Sequence, residues 1–583
     1  MAAVVTEQGV NHPTFKSPPS DLDLSIPSLY EYHAKNSPTH PVFSYVNTAT
    51  KAIRDITFAE AWDRINTLIE RVYLDYKGSP QNSVSRLDHS RPVIGILAIA
   101  DQLSYLYLEV AIMSLGYTVF PISSRNSAQV VAHLVEKTAI RLLYVSADSE
   151  MQALSNSADK ILRERNWQVW MRYMVTPKEY EKEHVPTEAN RKVDIGDDDV
   201  TMILHSSGTT AFPKPIPVTR RRMINISKIP SFGEVDLAGK RIAAHTNPIY
   251  HGMGLATVIW PLTCGATFVL YPPVSPPIIP TPSNFIASWI AGKCDIVFSV
   301  PVFIEAWARN PAHIPALSSL DCIVYGGASV NKALGDMLTH AGVTLHSLWG
   351  STEQGPATMF IPKDPPPIDE WEYFKLMPQA TYHLEPQPGL KNIYEPIMIA
   401  NDICAPNVTN MEMNGKPAYA AGDLLEQHPT NPDRWRVYGR KDVQIMLSTG
   451  ENVNPVPIEE ILGEDPHIVV AVMFGRHRIQ PGVLIQPTPD HQIPAGDEKK
   501  AEQFKNLIWQ SVEKANAHSP AYARIERNMI IVTSPDKPLD RTPKGSARHK
   551  VCVERYAEEI EKLYAIEEDC ELHPELRQFP DRV

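Results

Sequence analysis

An α/β protein is expected, with a large N-terminal domain of βαβ layers preceding a small α+β C-terminal domain. Three observations lead there. Between residues 92 and 145 short apolar runs alternate with helical spacing, the rhythm of a parallel sheet with helices packed on it. The chain of 583 residues exceeds what one hydrophobic core ordinarily serves, which suggests roughly two to four domains. Near residue 440 the composition shifts, and the stretch beyond it holds short strands and two helices.

Taken in order, residues 1–25 are polar and proline-bearing and read as a flexible arm. Helical spacing covers 28–35 and 58–76, the second placing Ala61, Ile65, Leu68, Ile69 and Val72 on one face. The continuous apolar run 92–98 is a strand buried on both sides, followed by helix 105–115, strand 118–122, helix 127–137 and strand 140–145. Residues 150–199 are polar and read as peripheral. Strands at 296–301, 320–325 and 344–348 alternate with helices at 302–308 and 331–341, and the proline-rich 272–282 is a surface loop. The large domain then spans 26–438 and the small one 439–565, with 566–583 as tail or linker. In the small domain a helix over 499–516 places Phe504, Ile508, Val512 and Ala515 on one face.

A formal net charge of −12 supplies no broad basic face, so a nucleic-acid partner is not expected. The run Arg220-Arg221-Arg222 reads as a solvated helix start, with a local phosphate contact as the alternative. Six scattered cysteines form no Cys-x-x-Cys pair or zinc-spaced cluster, as in a reducing compartment. No signal-type apolar segment opens the chain, and no run approaches the ~20 apolar residues of a membrane span. A cytoplasmic location with no membrane partner is expected.

After the apolar Met202-Ile203-Leu204 comes the loop His205-Ser206-Ser207-Gly208-Thr209-Thr210-Ala211-Phe212-Pro213-Lys214-Pro215. Its hydroxyls, backbone N–H groups and one lysine can wrap anionic oxygens. It is not a Walker loop, because Pro213 stands where a glycine should precede the lysine and no Ser or Thr follows Lys214. Further on, Gly326-Gly327-Ala328-Ser329 follows a strand, where glycines let backbone approach a flat ligand. Trp349-Gly350-Ser351-Thr352-Glu353 joins an aromatic face, hydroxyls and a carboxylate. Tyr419-Ala420-Ala421-Gly422-Asp423, Gly439-Arg440-Lys441-Asp442 and Thr542-Pro543-Lys544-Gly545-Ser546-Ala547-Arg548 complete the series. Singly, the glycine pair and Gly-Asp read equally well as turns.

In this order, over roughly residues 25–565, the motifs resemble those of the adenylate-forming (AMP-binding) superfamily, which includes acyl-CoA synthetases, luciferases and adenylation domains of peptide synthetases. Ala211 and Pro215 depart from its glycines. The resemblance implies ATP and Mg²⁺ as cofactors, with Ser206, Ser207, Gly208, Thr209, Thr210 and Lys214 around the phosphates. It implies that Gly326, Gly327, Ala328 and Ser329 border adenine and the acyl pocket, and that Trp349, usually tyrosine, stacks on adenine beside Gly350. Thr352 would donate to the α-phosphate, and Glu353 would be the metal ligand. Asp423 would bind the ribose hydroxyls, although Ala421 replaces a threonine. Arg440 would contact ribose or phosphate, or else form an exposed ion pair. Asp442 would be the hinge of a mobile small domain. Lys544 would be the catalytic lysine, although the order Lys544-Gly545 inverts the usual Gly-Lys. Arg548 and Lys550 are the alternatives.

No acidic residue stands in 247–254, where amino-acid-activating relatives usually keep an aspartate. The implied substrate is a carboxylic acid without an α-amino group, whether aryl, short aliphatic or betaine-like. His251 is a pocket and catalytic candidate near its carboxylate, or else a histidine satisfied inside a turn. Val300, Pro301, Gly327 and Thr358 are further candidates for the pocket wall. Segments 122–127 and 541–545 look most like fungal synthetase-like proteins, which join an adenylation unit to a carrier and then a reductase or thioesterase. The implied reaction is acyl-AMP formation, then transfer to the phosphopantetheine thiol of a carrier domain, in cis in a longer protein or in trans. A free-standing acyl- or aryl-CoA ligase using CoA and a non-catalytic nucleotide-binding protein are the alternatives.

Overall fold

The apolar runs of the N-terminal part pair into two sheets, in a computed structural model that describes residues 5–19, 24–47, 50–79, 91–181, 193–205, 213–441, 443–447, 452–476, 478, 480–517, 519, 521–542 and 545–572. One sheet runs Leu345–Leu348, Cys322–Gly326, Ile296–Ser299, Arg241–Ala243, Thr267–Leu270, Pro41–Val46 and Ile53–Thr57. Every neighbouring pair is parallel except the last. The other runs Trp170–Tyr173, Leu142–Val145, Val93–Leu97, Thr118–Pro121, Val200–His205 and Pro215–Thr219, again with only the final pair antiparallel. The expected βαβαβ unit is present, its strands joined by helices Gln102–Ser114 and Ala128–Lys137. Ser127 caps the second helix by accepting from the Val130 N–H. Helix Phe58–Lys77 opens with a Thr57/Glu60 capping box and buries Ala61, Ile65, Leu68, Ile69 and Val72, the face read from spacing.

The chain divides into two units. One comprises Met1–Leu384, Pro396–Ala421 and Gln427–Val437, and holds both sheets. The other comprises Glu385–Glu395, Gly422–Glu426 and Tyr438–Val583. In it, Ile468–Phe474 pairs antiparallel with Gly482–Pro487, which pairs parallel with Ile530–Val532. Alternate residues face opposite ways. Ala471, Met473, Val483 and Ile485 join the core under helix Glu498–Ala517, with its Phe504, Ile508, Val512 and Ala515. Val472, Phe474 and Leu484 join a second core with Cys552, Tyr556 and Ile560.

The N-terminal segment is not a flexible arm over residues 5–19. Phe15 is 1% exposed and stacks on His33. The Thr6 hydroxyl donates to the Gly233 carbonyl at 2.7 Å, and the Gln8 amide donates to the Val235 carbonyl at 3.0 Å while accepting from the Leu237 N–H at 2.7 Å. One aromatic anchor and a few hydrogen bonds fix a segment that carries no period of its own. Residues 150–199 are not merely peripheral either. Helix Ser149–Glu164 buries Met151, Ser155, Ala158 and Leu162, and Trp170–Tyr173 adds an edge strand. The last helix runs Ala557–Leu572, into the stretch expected to be tail.

Within helix Gln102–Ser114, Glu109 is wholly buried and, among the described residues, neither carboxyl oxygen has a hydrogen-bond partner. Burial pushes its pKa well above the ordinary 4.5. The folded protein therefore keeps a proton that the unfolded chain loses, and stability falls as pH rises above that ordinary value. The slope from this group approaches about 1.4 kcal/mol per pH unit until the folded-state pKa is reached. Glu109→Met is expected to raise stability at neutral pH and to flatten the pH dependence of urea unfolding above the ordinary carboxylate range. An unchanged slope would assign the pH dependence to other groups.

Candidate active site

Several predicted segments leave the carboxyl ends of adjacent parallel strands in the first sheet. Ser299 pairs with Tyr325, and Gly326 with Leu348, so Val300-Pro301, Gly327–Ser329 and Trp349–Glu353 emerge side by side. The 245–251 segment follows the next strand, Arg241–Ala243. The crevice outside such strand ends is where open α/β sheets bind ligands.

Gly350 and Ser351 pair antiparallel with Pro356 and Gly355, closing a hairpin with Thr352-Glu353-Gln354 at its tip. A Cβ on Gly350 would stand 2.5 Å from the Gly355 carbonyl oxygen, so only glycine lets the two short strands meet. Thr352 and Glu353 are half-buried, whereas Gln354 is wholly buried. The tip thus offers one hydroxyl and one carboxylate. Trp349 is 6% exposed and stacks on Phe374 at 6.2 Å between centroids. Gly327, Ala328 and Ser329 are exposed. Val300 precedes helix Pro301–Ala308, Pro301 is buried, and Thr358 is wholly buried with no partner for its hydroxyl among the described residues.

His251 caps helix Gly252–Ile259, its Nδ1 accepting from the Met253 N–H at 3.4 Å. This is the turn arrangement that stood as the alternative for it. His245 is the buried histidine of the segment. Its Nε2 hydrogen-bonds Ser288 Oγ at 2.8 Å, its ring meets Tyr271 and Phe285, and burial lowers its pKa to about 3. A neutral packing group results.

In the second unit, Arg440 Nη1 donates to Asp423 Oδ1 at 3.2 Å, uniting two residues singled out for the ribose. The Lys441 N–H donates to the Gly422 carbonyl at 2.7 Å. Around the C-terminal loop, Arg541 and Ala547 bridge, the Thr542 N–H donates to the Ser546 carbonyl at 2.8 Å, and Gly545 takes φ +91°. Arg548 pairs with Asp540 at 3.4 Å and Lys550 with Glu554 at 3.8 Å. Lys544 itself lies outside the described residues, as do Ser206, Ser207, Gly208, Thr209, Thr210 and Asp442. Lys214 is exposed, just before strand Pro215–Thr219.

The arginine run is corrected. Only Arg221 faces solvent, while Arg220 and Arg222 are each 7% exposed, and Arg220 and Arg221 share Asp197. Arg222, read from sequence only as part of a solvated run, and Asn407, which was not singled out, both contact the hairpin tip. The usable signal for Arg222 was its helix face, shared with Ile226 four residues on.

Among the described residues no three His, Cys, Asp or Glu side chains gather into a metal site. Glu353 is a single carboxylate, which fits Mg²⁺, an ion that keeps waters and takes one or two carboxylates together with substrate phosphates. No described helix is long and apolar enough to cross a membrane.

Two family descriptions match the chain: AMP-binding enzyme over residues 30–381, and AMP-binding enzyme C-terminal domain over residues 442–568. The adenylate-forming reductase Nps10 of Heterobasidion annosum is 38% identical over 563 residues, 96% of this chain and 51% of that protein. A carboxylic acid reductase of Neurospora crassa is 25% identical over 528 residues, 87% of this chain and 47% of that protein. The chain spans about half the length of these curated relatives. The fold is that of the A domain of carboxylic acid reductase from Segniliparus rugosus, solved with AMP and a co-purified carboxylic acid. That match has a TM-score of 0.66 at 16% identity, covering 94% of this chain and 95% of that one. The anthranilate CoA ligase AuaEII, solved with anthranoyl-AMP, matches with a TM-score of 0.67 at 18% identity, covering 91% of this chain and 96% of that one.

Proposed function

Because the chain belongs to the AMP-binding enzyme family, we propose that it activates a carboxylic acid lacking an α-amino group as acyl-AMP and passes the acyl group to a carrier's phosphopantetheine thiol. The supporting observation is the convergence at one parallel-sheet edge of the 326–329 glycine segment, Trp349 and the Thr352–Glu353 tip. The lack of an acid in 247–254 supports a substrate without an ammonium group, aryl or small. The reductase relatives support a carrier thiol as acceptor, in cis in a longer protein or in trans. The five described cysteines are free, in keeping with a reducing cytoplasm.

ATP enters as substrate. A carboxylate oxygen bonds to the α-phosphorus, the bond from that phosphorus to the oxygen bridging the β-phosphate breaks, and pyrophosphate leaves. Thr352 donates to the α-phosphate and Lys544 neutralises the growing charge. Lys214 and the hydroxyls of Ser206, Ser207, Thr209 and Thr210 hold phosphate oxygens, and Asp423 holds the ribose. Glu353 would hold Mg²⁺, which when bound neutralises phosphate charge. The thiolate sulfur then bonds to the acyl carbon, the acyl C–O bond to AMP breaks, and AMP leaves. Asp442 is the proposed pivot between the two steps, and the division into a large and a small adenylation subdomain near residue 439 belongs to the same proposal.

Acid-dependent ATP–pyrophosphate exchange tests this, with benzoic, cinnamic, arylpyruvic, short aliphatic, betaine and amino acids. Exchange with one class of non-amino acid is the expected outcome. Exchange confined to amino acids would overturn the substrate class. No exchange while ATP still binds would favour a non-catalytic nucleotide-binding protein. Efficient formation of free acyl-CoA would replace the carrier with CoA.

A further inference from the structure

We propose that Arg222 and Asn407 are positioning residues that aim the Thr352 and Glu353 side chains by holding every backbone carbonyl of the hairpin tip; this rests on the adenylation reading of that tip. Asn407 Nδ2 donates to the Thr352 carbonyl at 2.8 Å. The N–H groups of Asn407 and Val408 donate to the Glu353 carbonyl at 2.7 and 3.2 Å. Arg222 Nη2 donates to the Gln354 carbonyl at 2.6 Å, and Arg222 Nε donates to Asn407 Oδ1 at 2.9 Å. The two side chains fix each other as well as the tip. Three successive carbonyls are thereby committed, and the backbone that sets the Cα–Cβ directions of Thr352 and Glu353 cannot rotate without breaking several hydrogen bonds at once.

Simple packing would not choose an arginine here. Arg222 is buried, and no carboxylate among the described residues pairs with it. Its titratable neighbours are the half-buried Tyr382 phenol and the buried Cys404 thiol, both held neutral by desolvation. Burial lowers the guanidinium pKa to about 10, which leaves it cationic at neutral pH. An apolar side chain of similar volume fills such a space at less cost. What the guanidinium supplies is a rigid planar fork that reaches two acceptors in fixed directions. The tip is shaped to it. Gly355 takes φ +82°, and a Cβ there would stand 2.5 Å from Arg222 Nη2.

The helix that carries this guanidinium starts shortly after Lys214. Arg222 lies on helix Arg220–Ser227, capped by Thr219, and that helix follows strand Pro215–Thr219 directly after Lys214. One strand and one helical turn thus connect the lysine of the phosphate-type loop to the carbonyls behind Glu353.

The test compares Asn407→Ala and Arg222→Lys with the exposed control Arg221→Ala. Calorimetry of ATP binding with and without Mg²⁺ measures how far the metal tightens binding and needs no turnover. That gain is expected to shrink about tenfold in both variants, with metal-free affinity within about threefold of wild type. In exchange, kcat is expected to fall about 10- to 100-fold while KM for ATP stays within about threefold. A folded Asn407→Ala with the full metal gain and wild-type kcat overturns the proposal, and decides alone should Arg222→Lys not fold. A wild type whose ATP affinity ignores the metal also overturns it. A wild type that exchanges with no acid, yet whose metal gain the variants lose, overturns the adenylation reading and leaves the positioning roles standing.

Discussion

Glu353→Gln is expected to lower acid-dependent exchange by about 10²–10³-fold, or about 2.7–4 kcal/mol of transition-state stabilisation. Glutamine keeps the size and one acceptor oxygen, so the hairpin formed by Gly350, Ser351, Gly355 and Pro356 should survive and the fold with it. What is lost is a negative charge, and the described surroundings contain no cluster of acids to replace it as a metal ligand. ATP without metal should bind the variant at least as tightly, because a carboxylate beside phosphates repels them. The check is exchange at saturating ATP across a Mg²⁺ titration, paired with calorimetry in chelator. Unaltered exchange would remove the metal role from Glu353.

Lys544→Ala should be equally severe for adenylation, about 10²–10³-fold, while ATP affinity changes by less than about tenfold. A charge that matters only as carboxylate attacks phosphorus contributes to kcat rather than to ground-state binding. The competing candidates differ in what already holds them. Arg548 pairs with Asp540 at 3.4 Å, whereas Lys550, 85% exposed, lies 3.8 Å from Glu554. Single-turnover acyl-AMP formation in Lys544→Ala, Arg548→Ala and Lys550→Ala sorts them. Wild-type rates in the first, with loss in either of the others, would move the role along the chain.

The sheets were legible because burial imposes a period. Runs such as Val93–Leu97 have little alternative to a covered parallel strand, and the face Phe504, Ile508, Val512, Ala515 repeats as a helix must. The position of the Thr352–Glu353 tip was legible for another reason: a loop at a strand end is short, and its polar residues stand out from the apolar strand before it. Helix Ser149–Glu164 was missed because its buried stripe includes Ser155 and is outnumbered by polar residues. Arg222 was misread because its charge outweighed the one local signal, a helix face shared with Ile226, and the carbonyl that receives it lies 132 residues away. Phe15 was overlooked for the same reason, since nothing within ten residues of it shows where its ring goes.

The packed N-terminal segment has a consequence for synthesis. Thr6 and Gln8 bond partners 227 residues further along the chain, and His33, on which Phe15 stacks, donates to the Leu262 carbonyl at 2.7 Å. A ribosome adding ~5–20 residues per second needs roughly 10–45 s to deliver Gly233 after Thr6. Through that interval the nascent chain carries an aromatic whose later partners, among them the backbone at Gly265, have not yet been made. Ribosome-bound chains cut off before residue 233 should therefore be nicked by protease near Phe15, and chains that have cleared the exit tunnel beyond residue 265 should not.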